Sequence, residues 1–152
     1  MKKGKVMLIG PIGSGKSTLT KRLLEDLTPA TKTQALHYVD WIIDTPGEYS
    51  ENPMFYRSLM ATSLEAKVLL VIQDATKHYQ MLPPNFSQGF PLIPVGVITK
   101  IDHPDANLER ANQLLKQVVT KSDIFQVSSI TLEGVAELKA AIQRYLGDSL
   151  LN

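Results

Sequence analysis

Eight consecutive residues, Gly10-Pro11-Ile12-Gly13-Ser14-Gly15-Lys16-Ser17, have the types and the spacing that hold a polyphosphate, G-x-x-x-x-G-K-[ST]. Gly10, Gly13 and Gly15 let the backbone turn tightly and approach an anion, so that consecutive N–H groups converge on one point. Lys16 is placed to reach the β and γ phosphates, and the Ser17 hydroxyl to ligate the Mg²⁺ that accompanies them. Pro11, Ile12, Ser14 and, at the start of the following helix, Thr18 complete the expected phosphate-binding set. Downstream, Asp44-Thr45-Pro46-Gly47 has the form D-x-x-G. A carboxylate at a strand end beside the loop can hold Mg²⁺ through water, and the Gly47 N–H can bond the γ-phosphate. Loss of that phosphate then releases the segment that follows.

Two later segments supply a base-reading chemistry. Thr99-Lys100-Ile101-Asp102 resembles the N-K-x-D motif of GTPases, with Thr99 in place of the usual Asn. The Asp102 carboxylate can accept both the N1–H and the exocyclic amine of guanine, a bidentate pair that adenine cannot supply. Ser128-Ser129-Ile130 stands where GTPases carry an S-A-x turn whose backbone N–H touches guanine O6. Between the phosphate loop and the D-x-x-G, a switch threonine should add its hydroxyl to Mg²⁺. Thr33 is favoured because it immediately precedes a strand, with Thr31 as the alternative. Glu48 takes the place of the water-orienting glutamine of Ras-like GTPases, so Lys16, Thr33, Gly47 and Glu48 are the expected catalytic residues and Ser17, Thr33 and Asp44 the expected metal ligands.

These residues need strands to carry them and helices to cover the strands. Apolar runs at Val6–Ile9, Ala35–Val39, Trp41–Ile43, Val68–Ile72, Ile93–Thr99 and Ile124–Val127 alternate with helical patterns at Thr18–Leu27, Met54–Ala66, Leu108–Thr120 and Val135–Leu146. Such alternation predicts an α/β fold, a three-layer α/β/α P-loop NTPase domain over residues 1–152 with a mostly parallel sheet. Only a tight turn separates the runs on either side of Asp40, which requires an antiparallel hairpin and hence one antiparallel edge strand. Thr76 to Pro91, with Pro83-Pro84, reads as a surface loop.

Composition narrows the partners. With 16 basic and 15 acidic residues the net charge is +1, which gives no field to gather nucleic acid or an anionic membrane. The absence of cysteine excludes thiol catalysis and disulfides, and no apolar run is long enough to span a bilayer. Met1-Lys2-Lys3-Gly4-Lys5 leads straight into the first strand without the apolar core of a signal peptide, so a cytoplasmic location is expected. His37, His78 and His103 are scattered and receive no role, and Trp41 is expected to pack.

Lys32-Thr33-Gln34-Ala35, Asp44-Thr45-Pro46-Gly47-Glu48-Tyr49 and Thr99-Lys100-Ile101-Asp102 resemble the EutP/PduV family of small Ras-like P-loop proteins of ethanolamine and propanediol utilisation. The resemblance runs over nearly the whole chain. It implies a GTP- and GDP-binding, Mg²⁺-dependent protein associated with bacterial microcompartments, with a protein partner that includes the shell as a candidate and a place at the shell surface. Some members have been assigned acetate kinase activity. Three functions therefore stand open: a slow GTPase switch, a phosphotransferase acting on acetate-level intermediates, and a nucleotide-gated adaptor whose partner surface is the helix after the D-x-x-G.

Overall fold

A computed structural model describes residues 5–25, 37–39, 41–80, 82–119 and 122–147. Its centre is β1 (Val6–Ile9), four aliphatic residues with no solvent exposure. Around it, β2 (His37–Val39), β3 (Ile42–Asp44), β4 (Val68–Asp74), β5 (Ile93–Thr99) and β6 (Ile124–Gln126) form one six-stranded sheet in the order β2-β3-β1-β4-β5-β6. All neighbours are parallel except β2, which runs antiparallel to β3 with Tyr38 opposite Ile43. The predicted α/β architecture with one antiparallel edge strand is the one found.

The central strands β1, β3 and β4 are buried throughout because both faces of the sheet are covered there. Alternate side chains go to opposite layers: Val6 and Leu8 join Leu19 and Leu23 of α1 (Lys16–Leu23) and Leu138 and Ile142 of α5 (Val135–Tyr145). Met7 and Ile9 join Leu59 on the other face, together with Ala111 and Leu115 of α4 (Leu108–Val118). Gly96 in β5 is what lets α4 lie so close, since a Cβ there would fall 2.7 Å from the Leu115 side chain.

Several boundaries differ from the sequence pattern for physical reasons. Helix α1 starts at Lys16, inside the phosphate motif, because Gly15 takes a left-handed backbone (φ 98°) that an L side chain resists. It stops at Leu23, followed by a left-handed Glu25 (φ 63°), and residues 26–27 lie outside the described segments. The single helix expected over Met54–Ala66 is instead a short α2 (Glu48–Glu51) directly after the D-x-x-G, a 3₁₀ turn at Pro53–Phe55, and α3 (Tyr56–Ser63). Pro53 lacks the N–H that would continue α2, and the Asn52 side chain caps the new start by accepting from the Met54 N–H at 3.0 Å. The segment read as a surface loop after Thr76 is tied down. Leu82, Ser87 and Phe90 are buried, and the Ser87 hydroxyl donates to the Val118 carbonyl at 2.8 Å. Among the described residues, no helix is long and apolar enough to cross a membrane.

Candidate functional site

The loop between β1 and α1 is built by backbone that only glycine accepts easily. Gly13 (φ 79°) and Gly15 (φ 98°) are left-handed, and a Cβ on Gly10 would come within 3.0 Å of both Ile72 and the Ser14 hydroxyl. The Ser14 N–H closes the turn onto the Pro11 carbonyl at 3.2 Å. Ser14 is itself buried, and its hydroxyl has no hydrogen-bond partner among the described residues, which is unusual for a buried polar group unless a ligand satisfies it. Lys16 is only 6% exposed. Burial pulls its pKa below the ordinary 10.5, against the opposing charges of Asp44 and Glu51. A cation held this way is poised for an anion.

Parallel pairing of β1 with β3 sets Asp44 opposite Leu8, so the carboxylate arrives at the loop. The Ser17 hydroxyl donates to Asp44 Oδ2 at 2.8 Å, and Asp44 is 2% exposed. A hydroxyl and a carboxylate oxygen this close are hard donors that suit Mg²⁺. Among the described residues no cluster of three His, Cys, Asp or Glu could hold a metal alone. Two such donors leave most of the coordination of a Mg²⁺ to further oxygen ligands, of which water and phosphate are the ordinary ones beside a nucleotide. The Thr45 hydroxyl donates to the Leu8 carbonyl at 2.7 Å and fixes the D-x-x-G turn to β1. Thr33 and its alternative Thr31 lie outside the described residues.

Gly47 is buried hard against the loop: a Cβ there would stand 2.5 Å from the Ile12 nitrogen. Helix α2 follows at once and is bonded back to the same loop. The Gly10 N–H donates to Ser50 Oγ at 2.9 Å, and the Ile12 N–H donates to Glu51 Oε2, also at 2.9 Å. Neither Ser50 nor Glu51 stood out in the sequence. Their only signal is position, three and four residues past Gly47, where the first helical turn comes back toward the loop. Glu48 itself is exposed on α2.

At the other end of the loop, the Thr99 hydroxyl donates to the Ser14 carbonyl at 2.6 Å, with the Gln73 carbonyl at 3.4 Å. Lys100, held in a left-handed backbone (φ 62°), donates from Nζ to the Gly13 carbonyl at 2.7 Å and to Asp74 Oδ2 at 2.8 Å. Burial alone would raise the Asp74 pKa, but the bonds from Lys100 and Thr76 outweigh it and hold the carboxyl below 3.8. Asp74 is a third residue that the sequence did not single out, although it is the acid that ends β4.

Beyond these braces opens a cavity of about 300 Å³ lined by Gly15, Thr18, Thr99, Lys100, Asp102, His103, Ser129 and Ile130. Seven of these eight belong to the expected nucleotide-binding set. The eighth is His103, whose Nδ1 accepts from the Asp105 N–H at 3.0 Å. Ser128 donates to Asp102 Oδ1 at 2.7 Å, and its hydroxyl oxygen accepts from the N–H groups of Ile130 and Thr131 at 3.2 and 3.0 Å. The Arg22 side chain of α1 donates to the Ser129 carbonyl at 2.9 Å. Ile130, 82% exposed, forms the rim.

The fold has counterparts among known proteins. Over 96% of its length the chain superposes on elongation factor SelB from Methanococcus maripaludis in complex with the GTP analogue GppNHp, with a TM-score of 0.66 and 23% identity. A bacterial selenocysteine-specific elongation factor, EF-Sec, gives 0.64 and 21%, again over 96% of the chain. The chain spans 34% and 29% of those two proteins, and the likeness is one of fold. In sequence it is 32% identical over 136 residues to the protein named "Probable acetate kinase EutP" in Escherichia coli K12, covering 88% of this chain and 86% of that one. It is also 35% identical over 98 residues to the propanediol utilization protein PduV of Citrobacter freundii, covering 64% and 65%. A family described by ethanolamine and propanediol utilisation matches residues 2–144. With the P-loop GTPase fold, the chain therefore belongs to the PduV-EutP family of ethanolamine and propanediol utilisation proteins.

Proposed function

We propose that this protein binds GTP and GDP with Mg²⁺ and acts as a slow GTPase switch in ethanolamine or propanediol utilisation. The observation that carries the reading is the pair of braces from Thr99 and Lys100 to the carbonyls of Ser14 and Gly13, which join the Asp102 pocket and the phosphate loop into one unit. A nucleotide touches both ends at once. Its base meets Asp102, whose carboxylate accepts from guanine N1–H and N2–H₂ and would face a mismatched acceptor on adenine. Its phosphates meet the N–H groups of residues 13–17, the buried Lys16 and the dipole of α1.

Ser17 and Asp44 are the residues that would hold Mg²⁺, which when bound neutralises charge on the β- and γ-phosphate oxygens. Ser17 and Asp44 are preset for this by their mutual hydrogen bond. Gly47, packed on Ile12, is the group placed to respond to a terminal phosphate, and Thr33 is proposed as the further hydroxyl ligand. Glu48 supplies an exposed carboxylate where a neutral amide would better orient water, so turnover is slow. A place at the microcompartment surface and a shell partner belong to the same proposal, supported by the family.

The name of the EutP relatives favours a second reading, phosphoryl transfer to acetate. Among the described residues, the cavity lining holds no arginine to screen a second anionic substrate. Calorimetry with GDP, GTP, ADP and ATP in Mg²⁺, followed by assay of acetyl phosphate formation, separates the two. Guanine preference of tenfold or more without acetyl phosphate supports the switch. Equal affinity for ATP, with acetyl phosphate formed, supports the kinase.

A further inference from the structure

The phosphate loop already has an anion on it. Glu51, the last residue of α2, accepts the Ile12 N–H at 2.9 Å, and its charge acts on Lys16. One residue earlier, Ser50 accepts the Gly10 N–H, and three residues before that Gly47 leaves no room for a side chain against Ile12. The contact is thus built from three positions of one turn and fixes where the carboxylate stands: on the Ile12 side of the loop, next to the lysine that a γ-phosphate would need. On the Ser17 side the acid is Asp44, which accepts from the Ser17 hydroxyl at 2.8 Å and is the proposed metal ligand, so that a bound cation would offset its charge there. Two anions sharing Lys16 at a few ångströms repel strongly in a partly buried site.

We propose that Glu51 is the residue that sets the preference between nucleoside diphosphate and triphosphate, by holding a carboxylate where a terminal phosphate must come. The inference rests on the guanine-nucleotide reading above. In the closed arrangement a diphosphate is accepted with α2 in place. A triphosphate is accepted only when Glu51 gives up the Ile12 N–H and α2 lifts from the loop. Binding of triphosphate and release of α2 are then one event, and its cost falls on triphosphate alone. Ser50 and Gly47 move with Glu51, so the change spreads to the 3₁₀ turn at Pro53–Phe55 through the stacked rings of Tyr49 and Phe55, 4.6 Å apart.

The test measures dissociation constants for GDP and for GppNHp, both with Mg²⁺, on the full chain, the Glu51→Gln variant and the Glu51→Ala variant. Glu51→Gln keeps an acceptor for the Ile12 N–H and removes only the charge. The expected result is a gain of about tenfold or more for GppNHp in both variants, with GDP within about twofold of the parent. An unchanged ratio of GppNHp to GDP affinity, or an equal change in both, would overturn the assignment while leaving guanine-nucleotide binding intact. Failure of the parent and of both variants to bind either nucleotide would overturn the guanine-nucleotide reading itself, and this inference with it. Because Glu51 is exposed, circular dichroism should show both variants folded, and a GppNHp gain confined to Glu51→Ala would mean that the hydrogen bond and not the charge is responsible, which also overturns the proposal as stated.

Discussion

The Thr99 hydroxyl donates to the Ser14 carbonyl at 2.6 Å, across 85 residues of chain. In the N-K-x-D pattern an asparagine stands at this position; here the threonine hydroxyl ties the base-reading segment to the loop. A shorter side chain does the work because β5 ends directly beside the loop: a Cβ on Gly15 would lie 3.6 Å from Thr99.

Replacing Thr99 with valine keeps the shape and deletes the hydroxyl, leaving a buried carbonyl on Ser14 without its partner. The expected cost is about 1–3 kcal/mol of unfolding free energy. GDP and GppNHp should weaken together, since the brace serves both ends of the site. Urea unfolding and calorimetry on the same preparations check this, and unchanged stability would show that the bond contributes nothing.

Asp102→Asn should lower guanine nucleotide affinity by at least about tenfold and shift preference toward xanthine nucleotides, because an amide donates to the xanthine O2 where the carboxylate had accepted from the guanine amine. Competition between GDP and XDP reads this directly. Retention of the parent's preference would remove Asp102 from base recognition.

Lys16→Met and Ser17→Asn should abolish tight triphosphate binding without unfolding the protein. For Lys16 the linkage has a definite sign. Its folded pKa lies below 10.5, so between that lowered value and 10.5 the unfolded chain binds more protons, and the nucleotide-free protein gains stability as pH rises through that interval. Lys16→Met should flatten this rise and leave stability at neutral pH equal or higher. Thermal unfolding across pH 7 to 10.5 tests it, and a destabilised methionine variant at neutral pH would contradict it.

Asp74 works in the opposite direction. Its carboxyl is held below 3.8, so its contribution is complete above that value and is lost as pH falls through the folded pKa. Asp74→Asn should lessen the acid sensitivity of stability in that range. It should also free Lys100 from one of its two anchors and weaken nucleotide binding severalfold. Acid titration followed by circular dichroism, paired with GDP affinity, measures both.

Hydrolysis without a partner should run below about one turnover per minute, since Glu48 offers a carboxylate where a neutral amide would better orient water. Single-turnover phosphate release from the parent and Glu48→Gln decides. A faster parental rate that collapses in the glutamine variant would make Glu48 a general base.

Most of the sheet could be read from the chain because its central strands β1, β3 and β4 are buried throughout and appear largely as aliphatic runs. Val6–Ile9 and Ile93–Thr99 have the same limits in sequence and structure. What escaped was tertiary in origin. Nothing local in Asp74 announces that it will meet Lys100, 26 residues on, and nothing in Ser50 or Glu51 announces the loop 40 residues before them. His103 looked like a stray imidazole because the cavity it lines exists only when β5, β6 and α1 are assembled. Helix α2 was missed for a different reason: four residues ending before Asn52-Pro53 are too few to show a helical period.

The packing of Gly47 on Ile12 also has a mechanical meaning. With only a hydrogen atom between the two backbones, the approach of α2 to the loop is at its limit, and travel is available in one direction only. Such a hinge has a hard stop on one side. Whatever enters the loop can push α2 outward and nothing can draw it further in, so every ligand that moves this segment moves it with the same sign, and ligands differ only in how far.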